Sequence, residues 1–137
     1  MASIRKEILI DAPPEDVWAA LRDFGALHER LVPGFVVDAR LDGDTRILTF
    51  FNGAVAHERL VDIDDGARRL VYTVVEGPLG STHHNASAQV FSDGDGRSRF
   101  VWITDVLPDD LATRTGELME RGIGVIKQTL EFEAARA

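Results

Sequence analysis

Few residues in this chain can do chemistry. There is no cysteine, which removes disulfides, thiolate nucleophiles and cysteine-ligated metals together. Ser81 and Ser87 sit in no nucleophile-elbow pattern and have no paired base. His57, His83 and His84 invite a metal reading, but neighbours on a strand point to opposite faces, so His83 and His84 cannot converge on one ion. No metal and no cofactor is therefore expected. His28, beside Glu29 and Arg30, reads as a solvated helix residue. Gly77-Pro78-Leu79-Gly80 lacks the spacing and the lysine of a phosphate loop.

What remains is Glu58, Tyr72, His84 and Trp102. A carboxylate facing apolar surroundings has its pKa raised by desolvation unless a cation or hydrogen-bond donors hold it ionised. That suits Glu58 to proton transfer or to anchoring a ligand hydroxyl. The plainer reading is a strand glutamate paired with a neighbouring arginine near the mouth of a cavity. Tyr72 either donates to a ligand oxygen or packs its ring while its hydroxyl finds a protein partner. Trp102 suits a cavity wall, whereas Trp18 reads as core.

Composition narrows the partners. The 137 residues are 45% hydrophobic and 28% charged, as in a folded domain and unlike a disordered chain. The net charge is −8 and the only lysines are Lys6 and Lys127, which argues against nucleic acid, whose phosphates need clustered cations. No apolar run approaches the ~20 residues of a membrane span. The first residues read directly into a strand with no signal-peptide pattern, so a cytoplasmic location is the default expectation.

The elements that must position these residues are legible from periodicity and turns. Alternation predicts strands at 4–11, 35–41, 46–51, 54–63, 70–76, 83–91 and 97–106. Helical spacing predicts short helices at 14–22 and 25–31 and a long one at 111–135. The separators are turn-forming, among them Asn52-Gly53 and Asp93-Gly94-Asp95-Gly96, so sequential strands pair antiparallel. Asn52-Gly53 read as a two-residue turn makes Phe51 and Ala54 partners. Gly116, Gly122 and Gly124 lower the propensity of the long helix, which points to close sheet approach or cavity room. The order gives an α+β class, a curved antiparallel sheet of seven strands with one long helix to cover it.

This order and several local words resemble the SRPBCC superfamily, the START, Bet v 1-like and polyketide-cyclase group. The words are Ile8-Leu9-Ile10-Asp11-Ala12-Pro13-Pro14-Glu15-Asp16-Val17-Trp18, His57-Glu58-Arg59-Leu60, Tyr72-Thr73-Val74-Val75-Glu76-Gly77-Pro78-Leu79 and Val101-Trp102-Ile103-Thr104. The likeness covers nearly the whole chain and is nearest to the polyketide cyclase/dehydrase-like branch of small bacterial proteins. It implies one helix-grip domain over 1–137, with two short helices after the first strand and the long C-terminal helix over an apolar cavity. Leu31, before Val32-Pro33, stands where related sequences often carry a tryptophan.

The resemblance implies that Glu58, Tyr72 and Trp102 face inward. Alternation then adds Ala54, Ala56 and Leu60, Val74, and Phe100 and Thr104 to the same face. Through the expected turn, Phe51, Thr49 and Ile47 also face inward, leaving Leu48, Phe50 and Val55 on the convex side. His84, Ala86, Ala88 and Val90 form the inner set of their strand. The expected ligand wall is Phe51, Glu58, Leu60, Tyr72, Val74, His84, Ala86, Trp102, Thr104, Gly122 and Ile126. Strand spacing places Glu58 and His84 roughly 10 Å apart across Val74, close enough for a polar cluster with Tyr72.

Three functions stay open on this reading. The first is non-covalent binding of a small apolar or aromatic molecule, polyketide-, lipid- or hormone-like. The second is a cyclase or dehydratase using Glu58, Tyr72 and His84 as catalytic residues that move protons. The third is an interaction module whose convex face, through Leu48, Phe50 and Val55, leaves a homodimer open.

Overall fold

A computed structural model describes residues 1–136. Strand β1 (Ala2–Ile10) leads through Pro13-Pro14 into helix α1 (Pro14–Arg22), a 3₁₀ turn over Phe24–Ala26 and the short α2 (Leu27–Arg30). Six strands follow, β2 (Val36–Asp42), β3 (Thr45–Phe50), β4 (Val55–Asp64), β5 (Arg69–Glu76), β6 (His83–Ser92) and β7 (Ser98–Leu107). Helix α3 (Ala112–Arg136) closes the chain. All seven strands form one antiparallel sheet in the order β1-β7-β6-β5-β4-β3-β2. The edge strands β1 and β2 are consecutive in sequence, so α1 and α2 cross the sheet's concave side to join them. None of the described helices is long and apolar enough to cross a membrane.

Three bulges bend this sheet. Each inserts one residue where the partner strand has none, namely Val37 on β2, Val61 on β4 and Val75 on β5. All three valines are exposed, at 55%, 55% and 47%. An extra residue on one strand increases local twist and turns that strand, so three of them in β2, β4 and β5 curl this half of the sheet inward. Strict alternation cannot reveal a bulge in advance.

The β3–β4 hairpin corrects one expectation. Leu48 pairs with Ala56 and Arg46 with Glu58, and the Phe50 amide donates to the Ala54 carbonyl at 2.8 Å. The connection is therefore the three residues Phe51-Asn52-Gly53, with Gly53 at φ +85°, the left-handed position such loops need. One residue of difference in the turn exchanges the faces of a whole strand. Arg46, Leu48 and Phe50 point inward, and Ile47 and Thr49 point outward. The convex apolar patch expected from Leu48, Phe50 and Val55 does not form. Leu48 is 1% exposed, and of the three only Val55 is exposed.

The core divides α3 in two. Ile123, Ile126 and Leu130 pack with Ile10, Trp18 and Phe100 in a continuous apolar cluster. The helix is fixed against β1 by Lys127 Nζ donating to the Leu9 carbonyl at 2.7 Å and by the Asp11 amide donating to Glu131 at 2.8 Å. Its N-terminal half stands over the sheet where the core stops. Leu48→Ala should cost about 2–4 kcal/mol of stability, and Ile47→Ala about 1 kcal/mol or less. Urea unfolding of the two variants checks this, and a larger loss for Ile47 would restore the two-residue turn.

Candidate functional site

Between the concave face and the helices lies a cavity of about 230 Å³. Its walls are mainly apolar: Leu21 and Leu27 from the helices after β1, Leu31 just past α2, Leu48 and Phe50 from β3, and Leu118 and Met119 from α3. The Gly77-Pro78-Leu79 loop and the Phe51 turn lie along its mouth. Its size exceeds the ~150 Å³ that admits benzene in an engineered core, which leaves room for one or two fused rings.

The polar floor is a charge pair. Arg46 and Glu58 face each other across β3 and β4 and are 4% and 7% exposed. Arg46 Nε and Nη2 both donate to Glu58 Oε1, each at 2.7 Å. The third guanidinium nitrogen, Nη1, donates to the Phe24 carbonyl at 3.4 Å, and the group lies 4.0 Å above the Phe24 ring. Arginine thus has a carboxylate, a carbonyl and an aromatic face, the partners a buried guanidinium needs. Glu58 Oε2 accepts no hydrogen bond among the described residues.

Tyr72 adjoins this pair, its ring 5.2 Å from the Arg46 guanidinium. Burial, and next the charge of Glu58, push the Tyr72 hydroxyl pKa well above its ordinary value, so it stays protonated. Trp102 Nε1 donates to Tyr72 Oη at 3.2 Å, and no described protein atom accepts the Tyr72 proton in turn. The ring of Trp102 also meets α3. A Cβ on Gly122 would stand 3.2 Å from Trp102 Cζ3 and 3.5 Å from Phe35 Cε2, so glycine permits the close approach here.

His84 is bound differently from the expectation. The Val74 amide donates to His84 Nδ1 at 3.0 Å, and the Thr73 hydroxyl donates to the His84 carbonyl. These bonds replace the β5–β6 ladder, whose register stops at Tyr72 opposite Ala86. Nδ1 must be unprotonated to accept, so Nε2 carries the hydrogen. Burial first, with His83 adding to it, lowers the His84 pKa to about 4. Its ring lies 5.8 Å from that of Tyr72.

Of the expected wall, Phe51, Glu58, Tyr72, Val74 and His84 line the cavity, as do Trp102, Thr104 and Gly122. Leu60, Ala86 and Ile126 do not: Ala86 and Ile126 are packed into the core and Leu60 against it. The expected Glu58–Tyr72–His84 cluster forms in part. Tyr72 is near both of the others, but the partner of Glu58 is Arg46, and His84 is held by Val74. The plainer reading of Glu58 holds for its partner, a strand arginine, but the pair lies on the buried floor and not near the mouth. His28 is half-buried with Nδ1 unpartnered, not solvated, and lies off the cavity wall. No group of histidines and acids able to hold a metal occurs among the described residues. Sequence reasoning missed Arg46 because a two-residue turn at Asn52-Gly53 would place it on the convex face. The charged Arg46 in step with Leu48 and Phe50 was the available signal.

The sequence profile of the family described as polyketide cyclase / dehydrase and lipid transport matches residues 1–131. A Thermobifida fusca protein of known structure is 30% identical, with a TM-score of 0.77 over 93% of this chain and 91% of its own. A START superfamily protein from Mycobacterium smegmatis is 12% identical, with a TM-score of 0.75 over 98% and 97%. Norcoclaurine synthase from Thalictrum flavum, in complex with dopamine and hydroxybenzaldehyde, is 18% identical, with a TM-score of 0.74 over 98% and 87%. No curated protein is detectably similar in sequence. The START and Bet v 1 helix-grip fold expected from the sequence is the fold observed.

The His84 pKa makes stability pH-dependent. Its folded value lies below the unfolded 6.5, so the unfolded chain takes up the proton first as pH falls. The contribution is fully present above pH 6.5 and is lost as pH falls towards about 4, amounting to at most ~3 kcal/mol. His84→Asn keeps an acceptor for the Val74 amide and cannot titrate. Urea unfolding at neutral pH and near pH 4.5 should show a shallower loss in that variant than in the wild type. Equal losses would mean that His84 is free to protonate in the folded protein.

Proposed function

The chain belongs to the polyketide cyclase / dehydrase and lipid transport family, and from that premise we propose that it binds a small aromatic molecule bearing a hydroxyl group. Binding is non-covalent, in the cavity, with one or two rings enclosed by the apolar walls. The observation that carries this reading is the pair of unused polar groups on the floor: Glu58 Oε2 accepts nothing and the Tyr72 hydroxyl donates to nothing among the described residues. A ligand hydroxyl satisfies the first and a ligand oxygen the second, while the rings remove apolar surface from water. The two aromatic molecules held by norcoclaurine synthase support an aromatic occupant by analogy of fold alone. The protein acts as one domain in the cytoplasm on this proposal, without cofactor.

The same floor supports a second reading, a cyclase or dehydratase. Glu58 would take a proton from carbon beside a carbonyl that Tyr72 polarises. His84 leaves that scheme, because its free ring nitrogen carries a hydrogen and burial opposes its protonation. The third reading loses the surface it was drawn from, since Leu48 and Phe50 are not on the convex face.

Binding of 2-naphthol should quench Trp102 emission at micromolar concentrations, and Trp102→Phe should lose the signal while Trp18→Phe keeps it. Tyr72→Phe should weaken binding about tenfold, roughly 1.4 kcal/mol. 2-Methoxynaphthalene, which cannot donate to Glu58, should bind as weakly to the wild type. Equal affinities across these ligands and variants would remove the polar floor from recognition, and conversion of a bound ligand seen by mass spectrometry would favour the enzyme.

A further inference from the structure

The far side of the cavity carries a different chemistry. Arg114 and Thr115 lie on its wall, in the first turns of α3, and Arg121 stands seven residues further along the helix from Arg114. Residues seven apart share a helix face. Neither arginine forms an ion pair among the described residues, although most of the chain's other arginines do. Arg121 lies 4.0 Å over the Phe51 ring at the mouth. Glu117 is on the same helix between them, pairs with neither and is not on the cavity wall.

Thr115 is the second observation. It is 5% exposed, and its Oγ1 is shut off from water with no hydrogen-bond partner. A helical threonine usually turns its hydroxyl back to a carbonyl of the preceding turn. A buried hydroxyl left unsatisfied in a native structure calls for an explanation, and a bound ligand's oxygen, met by rotation of the Thr115 side chain towards the cavity, is one.

The two ends also differ in charge. On the floor, Arg46 is already neutralised by Glu58, so an anion placed there would meet the carboxylate. At the α3 end, neither Arg114 nor Arg121 is held by a carboxylate among the described residues. We infer that Arg114, Thr115 and Arg121 form a second subsite for a carboxylate, so that the occupant is a hydroxyaryl carboxylic acid with its hydroxyl on Glu58 and its carboxylate towards α3. This rests on the cavity-binding reading and goes beyond it by fixing the ligand's other end. The planar guanidinium suits a carboxylate.

The test compares 6-hydroxy-2-naphthoate with its neutral carboxamide, 6-hydroxy-2-naphthamide, as displacers of the uncharged dye N-phenyl-1-naphthylamine. Wild-type protein should favour the acid at least tenfold at low salt, less so at high salt. Arg114→Gln should bring the acid-to-amide ratio close to unity, Arg121→Gln should lower it, and Thr115→Val should weaken the acid several-fold. Arg136→Gln, which removes a charge far along α3, should leave the ratio as it is. Circular dichroism verifies the fold of each variant. A wild-type ratio near unity with both compounds binding overturns the carboxylate subsite alone. A large ratio that survives Arg114→Gln and Arg121→Gln also overturns it, by placing the anion elsewhere. Failure of the dye and both compounds to bind overturns this subsite together with the binding reading beneath it.

Discussion

An ion pair with almost no access to water joins β3 to β4, and the site is arranged around it. Transfer of two charges from water costs several kcal/mol per ion even after relaxation. The attraction between Arg46 and Glu58 at 2.7 Å offsets that cost only because the remaining guanidinium surface also has partners, in the Phe24 carbonyl and ring. Phe24 is held by the 3₁₀ turn after α1, so the pair also fixes how the crossing helices sit over the sheet. A pair of apolar side chains would fill the same space at no loss of stability, by the general behaviour of buried ion pairs. What apolar residues would not supply is the second Glu58 oxygen, pointed at no protein donor, and the charge that helps keep the Tyr72 hydroxyl protonated.

Curvature makes room for this floor. Three bulges, each with an exposed valine, bend β2, β4 and β5. One helix then cannot fill the concavity along its length. The C-terminal half of α3 closes on core, where Ile123, Ile126 and Leu130 interdigitate with the sheet. Gly122 marks the change, where a Cβ would crowd the Trp102 ring. Beyond it the helix turns Met119, Leu118 and Thr115 to the cavity. Filled and hollow halves of one interface follow from the sheet's curvature, since Leu118 and Met119 are as large as Ile123 and Leu130.

Much of this was legible in the residues. Alternation and turns located seven strands and the long helix, since period two and period 3.6 are strong over such lengths. Family words carried the inward facing of Glu58, Tyr72 and Trp102. Besides the bulges, two things were hidden. The turn at Phe51-Asn52-Gly53 differs from a two-residue Asn-Gly turn by one residue, and the difference exchanges Arg46, Leu48 and Phe50 with Ile47 and Thr49. The boundary between cavity and core was hidden as well, because Ala54 and Ala86 look alike in sequence. Ala54 borders the cavity and Ala86 is packed, and only the placement of α1, α2 and α3 over the sheet distinguishes them.

If the buried pair is kept for recognition and not for stability, the two properties separate in one variant. Arg46→Met together with Glu58→Leu removes both charges at similar volume. The account expects its unfolding free energy to stay within ~1 kcal/mol of wild type or above it, while either single change costs about 3–5 kcal/mol by stranding a charge. Binding of 2-naphthol to the folded double variant is the deciding measurement. Loss of that binding with stability retained is the expected result. A stable double variant that binds 2-naphthol as tightly as wild type would contradict the claim that this pair is the floor of a ligand site.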